Sequence, residues 1–560
     1  MNVLGISDSE REEVEESSDK GLLPHEVGKR DVYDILLENI PSRASYPAII
    51  YYGRRITYFQ VISAVDSLAA ELSSKFGIQK GDRIAVSLPN SPQFIISFFA
   101  ILKIGAVVVP LNTGQNAADF VKKLEILEVK GIVTDSKGFV LLRNSLNSNM
   151  FVMVTRIQDF MPFGKATRIT YFDTTWGQVK WGGNVYPFSD FIFSNSGERC
   201  KIDPDRDVAI IQLTGVLLPS LQAVSLTHAN ILSALKQISE VFSITGKKSV
   251  VACASPFSIP YGYIFGFLLS MLSGRACAMF FDNRDAKTVS KMCRKMGADI
   301  LVAHPWVYSK LLSDQSYRKS LKRVLIYING TDNMTEELSS IIVDSMKGKL
   351  LQVYGFSETT GVTHYRWIED TKKGASMIGM PFKETKCRVV DQTTGEDIKA
   401  GDKGELLVMG PQVPTKYLFT IVGERDRFSG EWFHTGDIVI AGAEESYTLV
   451  EKMRDMIVSN AIPVFPVEIE AVINRYKEVK ESAVIGINDG NRGEAIKAFI
   501  VSRDGTDSCL RGLKKYLNGN LAEYQRPLFY EFRSDLPKSM TGKIIKRILV
   551  EQEKLKTRGQ

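Results

Sequence analysis

The segment Tyr354-Gly355-Phe356-Ser357-Glu358 sets a carboxylate shortly after an aromatic ring and a glycine. A carboxylate so placed can hold Mg²⁺, a hard cation that takes oxygen ligands. The glycine lets a flat ring system approach the backbone. Alone, the segment would read as a solvated acidic loop. Trp432-Phe433-His434-Thr435-Gly436-Asp437 puts an aspartate beside a glycine turn. Such an aspartate can accept two hydrogen bonds from ribose hydroxyls, or merely close an Asx turn. Leu536-Pro537-Lys538-Ser539-Met540-Thr541-Gly542-Lys543 presents Lys543 on a turn ahead of a basic helix. That lysine can stabilise charge while a carboxylate attacks a phosphate, or it can simply be solvated. Glu451-Lys452-Met453-Arg454-Asp455, followed by Phe465-Pro466-Val467-Glu468, reads as a charged link between domains. The fifth segment runs Leu213-Thr214-Gly215-Val216-Leu217-Leu218-Pro219-Ser220-Leu221-Gln222-Ala223-Val224.

These segments need elements to hold them. Residues 56–75 place apolar side chains three and four apart, as an amphipathic helix does. A short apolar strand follows at Ile84 to Leu88, then a helix over 93–104 and a second buried strand, AVVVPLN. The alternation recurs at 131–134, 150–154, 250–254, 277–281, 300–303 and 324–328, and it predicts a parallel α/β arrangement. The run Tyr261 to Leu272 reads as a buried core helix, too short to span a bilayer that needs ~20 residues. Residues 386–409 look like short strands broken by Gly and Asp, a small β region. Beyond the charged link the order reads strand, helix, strand (SAVIGI, LRGLKKYLNGNLAEY, LFYEF). The expected fold class is therefore α/β: a large N-terminal domain of packed sheets with a small β region, then a small mobile α+β lid. The expected divisions are an acidic leader at 1–25, the large domain at 26–451 and the lid at 452–560.

Bulk properties narrow the function. A chain of 560 residues exceeds one core, since cores stop growing near ~250–300 residues. With 44% hydrophobic and 24% charged residues it is an ordinary globular composition. A formal charge of +6 gives mild attraction to anions, not the basic stripe of a nucleic-acid binder. At most peripheral membrane contact is expected. The six cysteines form no CxxC pair and the histidines no ligand-spaced pair. Free thiols in the cytoplasm are expected, and a structural zinc is not. The leader DSEREEVEESSD lacks the apolar stretch of a secretory signal.

Taken in order, the segments resemble the adenylate-forming (AMP-binding) superfamily, with its acyl-CoA synthetases, over about Arg55 to Arg547. YGFSE resembles the family's YGxTE, WFHTGD its TGD, PKSMTGKI its PKTxxGK, and GIQKGDRIAVSLPNSPQF with ILKIGAVVVPLN its N-terminal signature. The resemblance implies a two-step ligase. A carboxylate attacks the α-phosphate of ATP to give acyl-AMP, and a thiol, usually coenzyme A, then displaces AMP. It also implies roles. Tyr354, after which Gly355 follows, would stack on adenine, with Gly330 and Thr331 lining the base. Ser357 and Thr214 would lie by the phosphates, Glu358 would hold Mg²⁺ and Asp437 would grip ribose. Lys452, where the family has an arginine, would help bind the nucleotide, Arg454 stands at the hinge, and Lys543 would serve adenylation. Tyr261, Gly262 and Phe265 would wall an apolar acyl pocket, which favours a fatty or aromatic carboxylic acid.

Several positions depart from the family. Its glycine-rich phosphate loop, TSGTTGxPKG, aligns with Thr214 to Val224, where glycines give way to Val216, Leu218 or Pro219, and Ala223, and the lysine to Gln222. Glycine-rich loops cradle phosphate because bare N–H groups can converge on it. In the hinge, the family's glycine and lysines become Ala461, Val458 and Asn460, and Ser258 stands where an aromatic or histidine is usual. Two alternatives stay open: a catalytically impaired relative that still binds nucleotide or acyl group, and an adenylating module serving a carrier protein.

Overall fold

The computed structural model describes residues 30–558 except 39, 113–116, 147–148, 163–172, 193–197, 215–220, 242–248, 284, 331–333, 335, 369–376, 392–393, 400, 421–425, 443–445, 453–456, 460–461, 465, 490–492, 504–507, 538–543 and 545. The acidic leader, Thr331, Arg454, Asn460, Ala461, Lys543 and the middle of the 214–224 loop therefore lie outside the described residues.

Three sheets organise the rest. In the largest, of 14 strands, a parallel block runs Lys349–Tyr354, Ile326–Asn329, Ile300–Ala303, Val250–Cys253, Ala276–Met279 and Pro47–Tyr51. Beyond Lys349–Tyr354 the direction flips: His364–Ile368 pairs antiparallel with it, Leu350 opposite Ile368 and Tyr354 opposite His364. Met377–Pro381 then joins the strands Tyr447–Lys452, Trp432–Ala441, Lys403–Met409 and Lys386–Val390 to the same sheet. The small β region is thus an antiparallel extension of the large sheet.

The 8-stranded sheet has its own parallel block, Val208–Thr214, Val107–Pro110, Arg83–Ser87, Gly131–Asp135, Phe151–Thr155 and Val185–Pro187. Antiparallel strands Gln222–Thr227 and Tyr417–Thr420 close one edge. Parallel sheets are covered on both faces, which is why these strands are short unbroken apolar runs.

The helix Pro92–Lys103 is buried along its entire length. Its start is dictated locally: Ser91 accepts from the Phe94 N–H, and Pro92 occupies the first turn, where no N–H partner is lost. Phe98 meets Phe267 with ring centroids 5.0 Å apart. Phe267 belongs to the buried helical run Pro260–Leu272, which widens into a π-turn at Ile264–Leu268. Each such aromatic contributes about 1.5–3 kcal/mol by leaving water. No described helix is long and apolar enough to cross a membrane.

The third sheet has 5 strands: Ile462–Val464, Ile457–Ser459, Gly493–Ser502, Val479–Asp489 and Phe529–Phe532. Sequence reading expects only strand, helix, strand here. It misses Gly493–Ser502 and the hairpin before it. Gly493–Ser502 is central: Ile496, Ala498 and Ile500 enter one apolar cluster, Phe499 and Val501 another. A strand covered on both faces loses the polar alternation that marks strands in a sequence. None of the six cysteines is in a disulfide.

Candidate nucleotide site

Glu358 lies where the C-terminal ends of two parallel strands meet. Lys349–Tyr354 delivers it through the short 3₁₀ turn Ser357–Thr359. Val208–Thr214 brings Thr214, whose Oγ1 donates to Glu358 Oε1 at 2.8 Å. The turn is held from within by Phe356 N–H on Thr359 Oγ1 at 2.9 Å and Gly361 N–H on the Phe356 carbonyl at 2.8 Å. Thr360 donates to the Gln412 carbonyl at 2.6 Å, fixing the turn to a distant segment.

Glu358 is only 3% exposed, so its charge needs partners. From the sequence, Thr214 is expected beside the phosphates, and no partner of Glu358 is expected. The structure adds Tyr417, whose hydroxyl donates to Oε1 at 3.0 Å, and Arg427, whose Nη1 stands 3.8 Å from the same oxygen. Neither has a local signal. Tyr417 sits on the far edge of the second sheet, and Arg427 looks like any lone surface arginine. All three contacts fall on Oε1, and Oε2 has no hydrogen bond to a described residue. Among the described residues no three His, Cys, Asp or Glu groups cluster as a metal cage. A single open carboxylate oxygen nonetheless suits Mg²⁺, which binds through one or two carboxylates plus phosphate and water.

The turn expected around Asp437 is instead a strand. Trp432–Ala441 runs ten residues, with a register shift against Lys403–Met409 between Glu405 and Leu407. The bulge explains the Thr-Gly-Asp order. Gly436 has φ +69°, a conformation glycine adopts without penalty. Thr435 Oγ1 donates to the Leu406 carbonyl at 2.6 Å and accepts from the Asp437 N–H at 3.1 Å. Glu405, also unread from sequence, accepts from Gly436 N–H at 3.1 Å and contacts His434 Nδ1 at 3.2 Å. Asp437 stands in register with Lys452 on the next strand.

Tyr354 joins the two motifs. Its hydroxyl donates to Asp437 Oδ2 at 2.8 Å. Burial, followed by the neighbouring Asp437 carboxylate, raises the phenol well above its ordinary pKa, so it stays a donor. Gly355 serves the backbone: a Cβ there would lie 2.5 Å from the Gly361 carbonyl carbon. From the sequence, that glycine is expected to let a flat ligand approach the backbone. Gly330 lies just past the strand Ile326–Asn329, and a Cβ on it would reach 2.5 Å from the Tyr261 ring. Tyr261 is buried, its hydroxyl 2.7 Å from the Ile328 carbonyl and 3.1 Å from that of Ala303, its ring 5.4 Å from Phe265. Gly262 lies between them in the same buried helical run.

The described ends of the segment aligned with the phosphate loop lie on two paired antiparallel strands. Thr214 pairs with Gln222, Leu213 with Ala223 and Gln212 with Val224. Gln222, which the sequence resemblance aligns with the family's lysine, is 2% exposed on a strand also paired with Tyr417–Thr420. Ser258 donates to Asn112 Oδ1.

Two parallel-sheet ends converging on a buried carboxylate, beside a bulged strand that presents a second one, define a nucleotide-binding α/β protein with an appended α+β unit. The chain belongs to the AMP-binding enzyme family: that family matches residues 37–418, and the AMP-binding enzyme C-terminal domain matches residues 468–543. It is 28% identical over 551 residues to a long-chain-fatty-acid–CoA ligase of Bacillus subtilis, covering 95% of this chain and 96% of that one. It is 26% identical over 539 residues to the enzyme of the same name in Escherichia coli O157:H7, covering 93% and 94%. The o-succinylbenzoate CoA synthetase of Bacillus subtilis shares the fold, with a TM-score of 0.75 at 18% identity over 93% of this chain and 99% of that one.

Proposed function

We propose that this chain is an ATP-dependent carboxylate–CoA ligase that activates a fatty or aromatic acid through acyl-AMP. The carrying observation is the hydrogen-bonded bridge from Tyr354 to Asp437, one turn from the buried Glu358. In this reading the Tyr354 ring lies against adenine, with Gly330 and Thr331 across the base. Its hydroxyl fixes Asp437, whose carboxylate accepts from ribose. Ser357 and Thr214 flank the phosphates.

Glu358 Oε2 is the group that would hold Mg²⁺, which when bound neutralises phosphate charge. The substrate carboxylate oxygen attacks the α-phosphorus, forming the acyl–phosphate bond as the bond to pyrophosphate breaks. Lys543, on the C-terminal unit beginning near Lys452, stabilises the charge of that step. Rotation of the unit about Arg454 then admits the coenzyme A thiol, whose sulfur attacks the acyl carbonyl and expels AMP. Tyr261, Gly262 and Phe265 form an apolar wall for the acyl group, consistent with the names of the two bacterial relatives.

A second reading, nucleotide binding without turnover, has one observation in its favour: Gln222 is buried in a strand where the family carries lysine. One assay separates the two. The chain is incubated with ATP, Mg²⁺ and a panel of fatty and aromatic acids, and pyrophosphate is measured. Acid-dependent release is expected. Absence of release with every acid, while AMP still binds, establishes the second reading.

A further inference from the structure

Arg427 is 8% exposed and takes no part in the scheme above. Its guanidinium works in two directions. On one side Nε donates to the His434 carbonyl at 2.8 Å and Nη2 to the Thr435 carbonyl. Those carbonyls belong to the bulge that presents Asp437. On the other side Nη1 stands 3.8 Å from Glu358 Oε1, close enough for charge but beyond a hydrogen bond. The plane faces Phe433 with 4.6 Å, and Phe356 with 5.4 Å, between the guanidinium carbon and the ring centroid. A planar fork holds two carbonyls at fixed angles while its charge faces a carboxylate, a geometry that a point-like ammonium does not pre-set. A charge so deeply buried persists because each face has a partner.

We infer that Arg427 is a positioning residue that locks the Asp437 bulge to Glu358 and, by its charge, keeps Glu358 from capturing a divalent cation before nucleotide arrives. The inference rests on the reading of Glu358 as the metal-holding carboxylate. Oε1 is occupied by two hydroxyls and compensated by the guanidinium, so only Oε2 faces a cation, and that cation is repelled by Arg427 a few ångströms away. The triphosphate must then supply most of the cation's ligands, so metal and nucleotide enter together.

Two measurements on the full chain test this. Mn²⁺ binding without nucleotide is followed by water-proton relaxation, and the Mg²⁺ dependence of pyrophosphate release is followed with ATP and acid. Arg427→Met is expected to bind Mn²⁺ about tenfold more tightly than wild type, and the gain is expected to vanish in the Arg427→Met/Glu358→Gln double variant. Arg427→Lys keeps charge but not the fork. It is expected to leave Mn²⁺ binding near wild type while slowing pyrophosphate release at saturating Mg²⁺. If Arg427→Met unfolds, Arg427→Gln removes the charge, keeps an amide donor for the carbonyls and reads the same constant. A purely structural arginine predicts unchanged or weaker Mn²⁺ binding in a folded variant, and that result overturns the inference. If Glu358→Gln leaves the Mg²⁺ dependence of pyrophosphate release as in wild type, the reading of Glu358 itself fails.

Discussion

Asp437 has little freedom in this fold. Its N–H is tied to Thr435, one carboxylate oxygen receives the Tyr354 hydroxyl, and the glycine before it takes a left-handed φ. Prepositioned acceptors lose less on binding a ribose than mobile ones do. Asp437→Ala is therefore expected to weaken ATP binding by about 1–3 kcal/mol, the range for charged hydrogen bonds. It also leaves the buried phenol of Tyr354 short of its acceptor. Titration calorimetry reads the change, and an unaltered ATP dissociation constant would remove Asp437 from the site. At this scale the sequence was informative for the residues proposed to act on a ligand and silent about those that hold them. Tyr354, Glu358 and Asp437 sit in recognisable strings. Tyr417, Arg427 and Glu405 reach them across sheets, and no local pattern records a contact made by folding.

Among the elements, the segment around Gln222 separates this chain from the pattern it resembles. Its flanks are paired, and its glutamine is buried with no charge to offer a triphosphate. ATP is expected to bind at most about 1 kcal/mol more tightly than AMP, since each lost N–H contact to a charged oxygen forfeits a bond of the charge-assisted class. Calorimetry with both nucleotides decides it, and ATP tighter by a hundredfold would show that the triphosphate is still gripped. The C-terminal helix Lys546–Arg558, which follows the Lys543 segment, is fastened by charge. Lys497 meets Glu531 and Glu553, both at 2.7 Å, and Lys556 meets them at 3.0 and 2.8 Å. Burial pushes the Glu531 carboxyl up, but hydrogen bonds from Lys497, Lys556 and Arg533 outweigh it and bring it down to about 2. A depressed carboxylate contributes stability above its unfolded pKa, and that contribution fades as pH falls through the folded value. Glu531→Gln should therefore lower the melting temperature near pH 6, and the gap to wild type should close between about pH 4.5 and 2. A gap independent of pH would mean that packing, not charge, fastens the helix. Most element positions were legible, because buried parallel strands and an amphipathic helix write their periods into the chain. The strand Gly493–Ser502 was not, being packed into an apolar cluster on each face.

For the whole molecule, the proposed chemistry divides between two units. If Lys543 acts only in adenylation, Lys543→Ala should lower acid-dependent pyrophosphate release by about 10²–10³. The same variant should convert supplied acyl-AMP and coenzyme A to acyl-CoA at close to the wild-type rate. Equal losses in both half-reactions, measured on the intact chain, would place Lys543 outside the first step. The sequence by itself determined the α/β class, the order of the motifs and the family, because burial, helix periodicity and short motif strings are local properties of a chain. Only the tertiary structure decided that the small β region extends the large sheet and that the Thr-Gly-Asp string is a bulged strand. It also decided that the Glu358 charge is shared among Thr214, Tyr417 and Arg427. Those are matters of which distant segments meet, and the free energy of a buried charge depends on its neighbours in space rather than its neighbours in the chain.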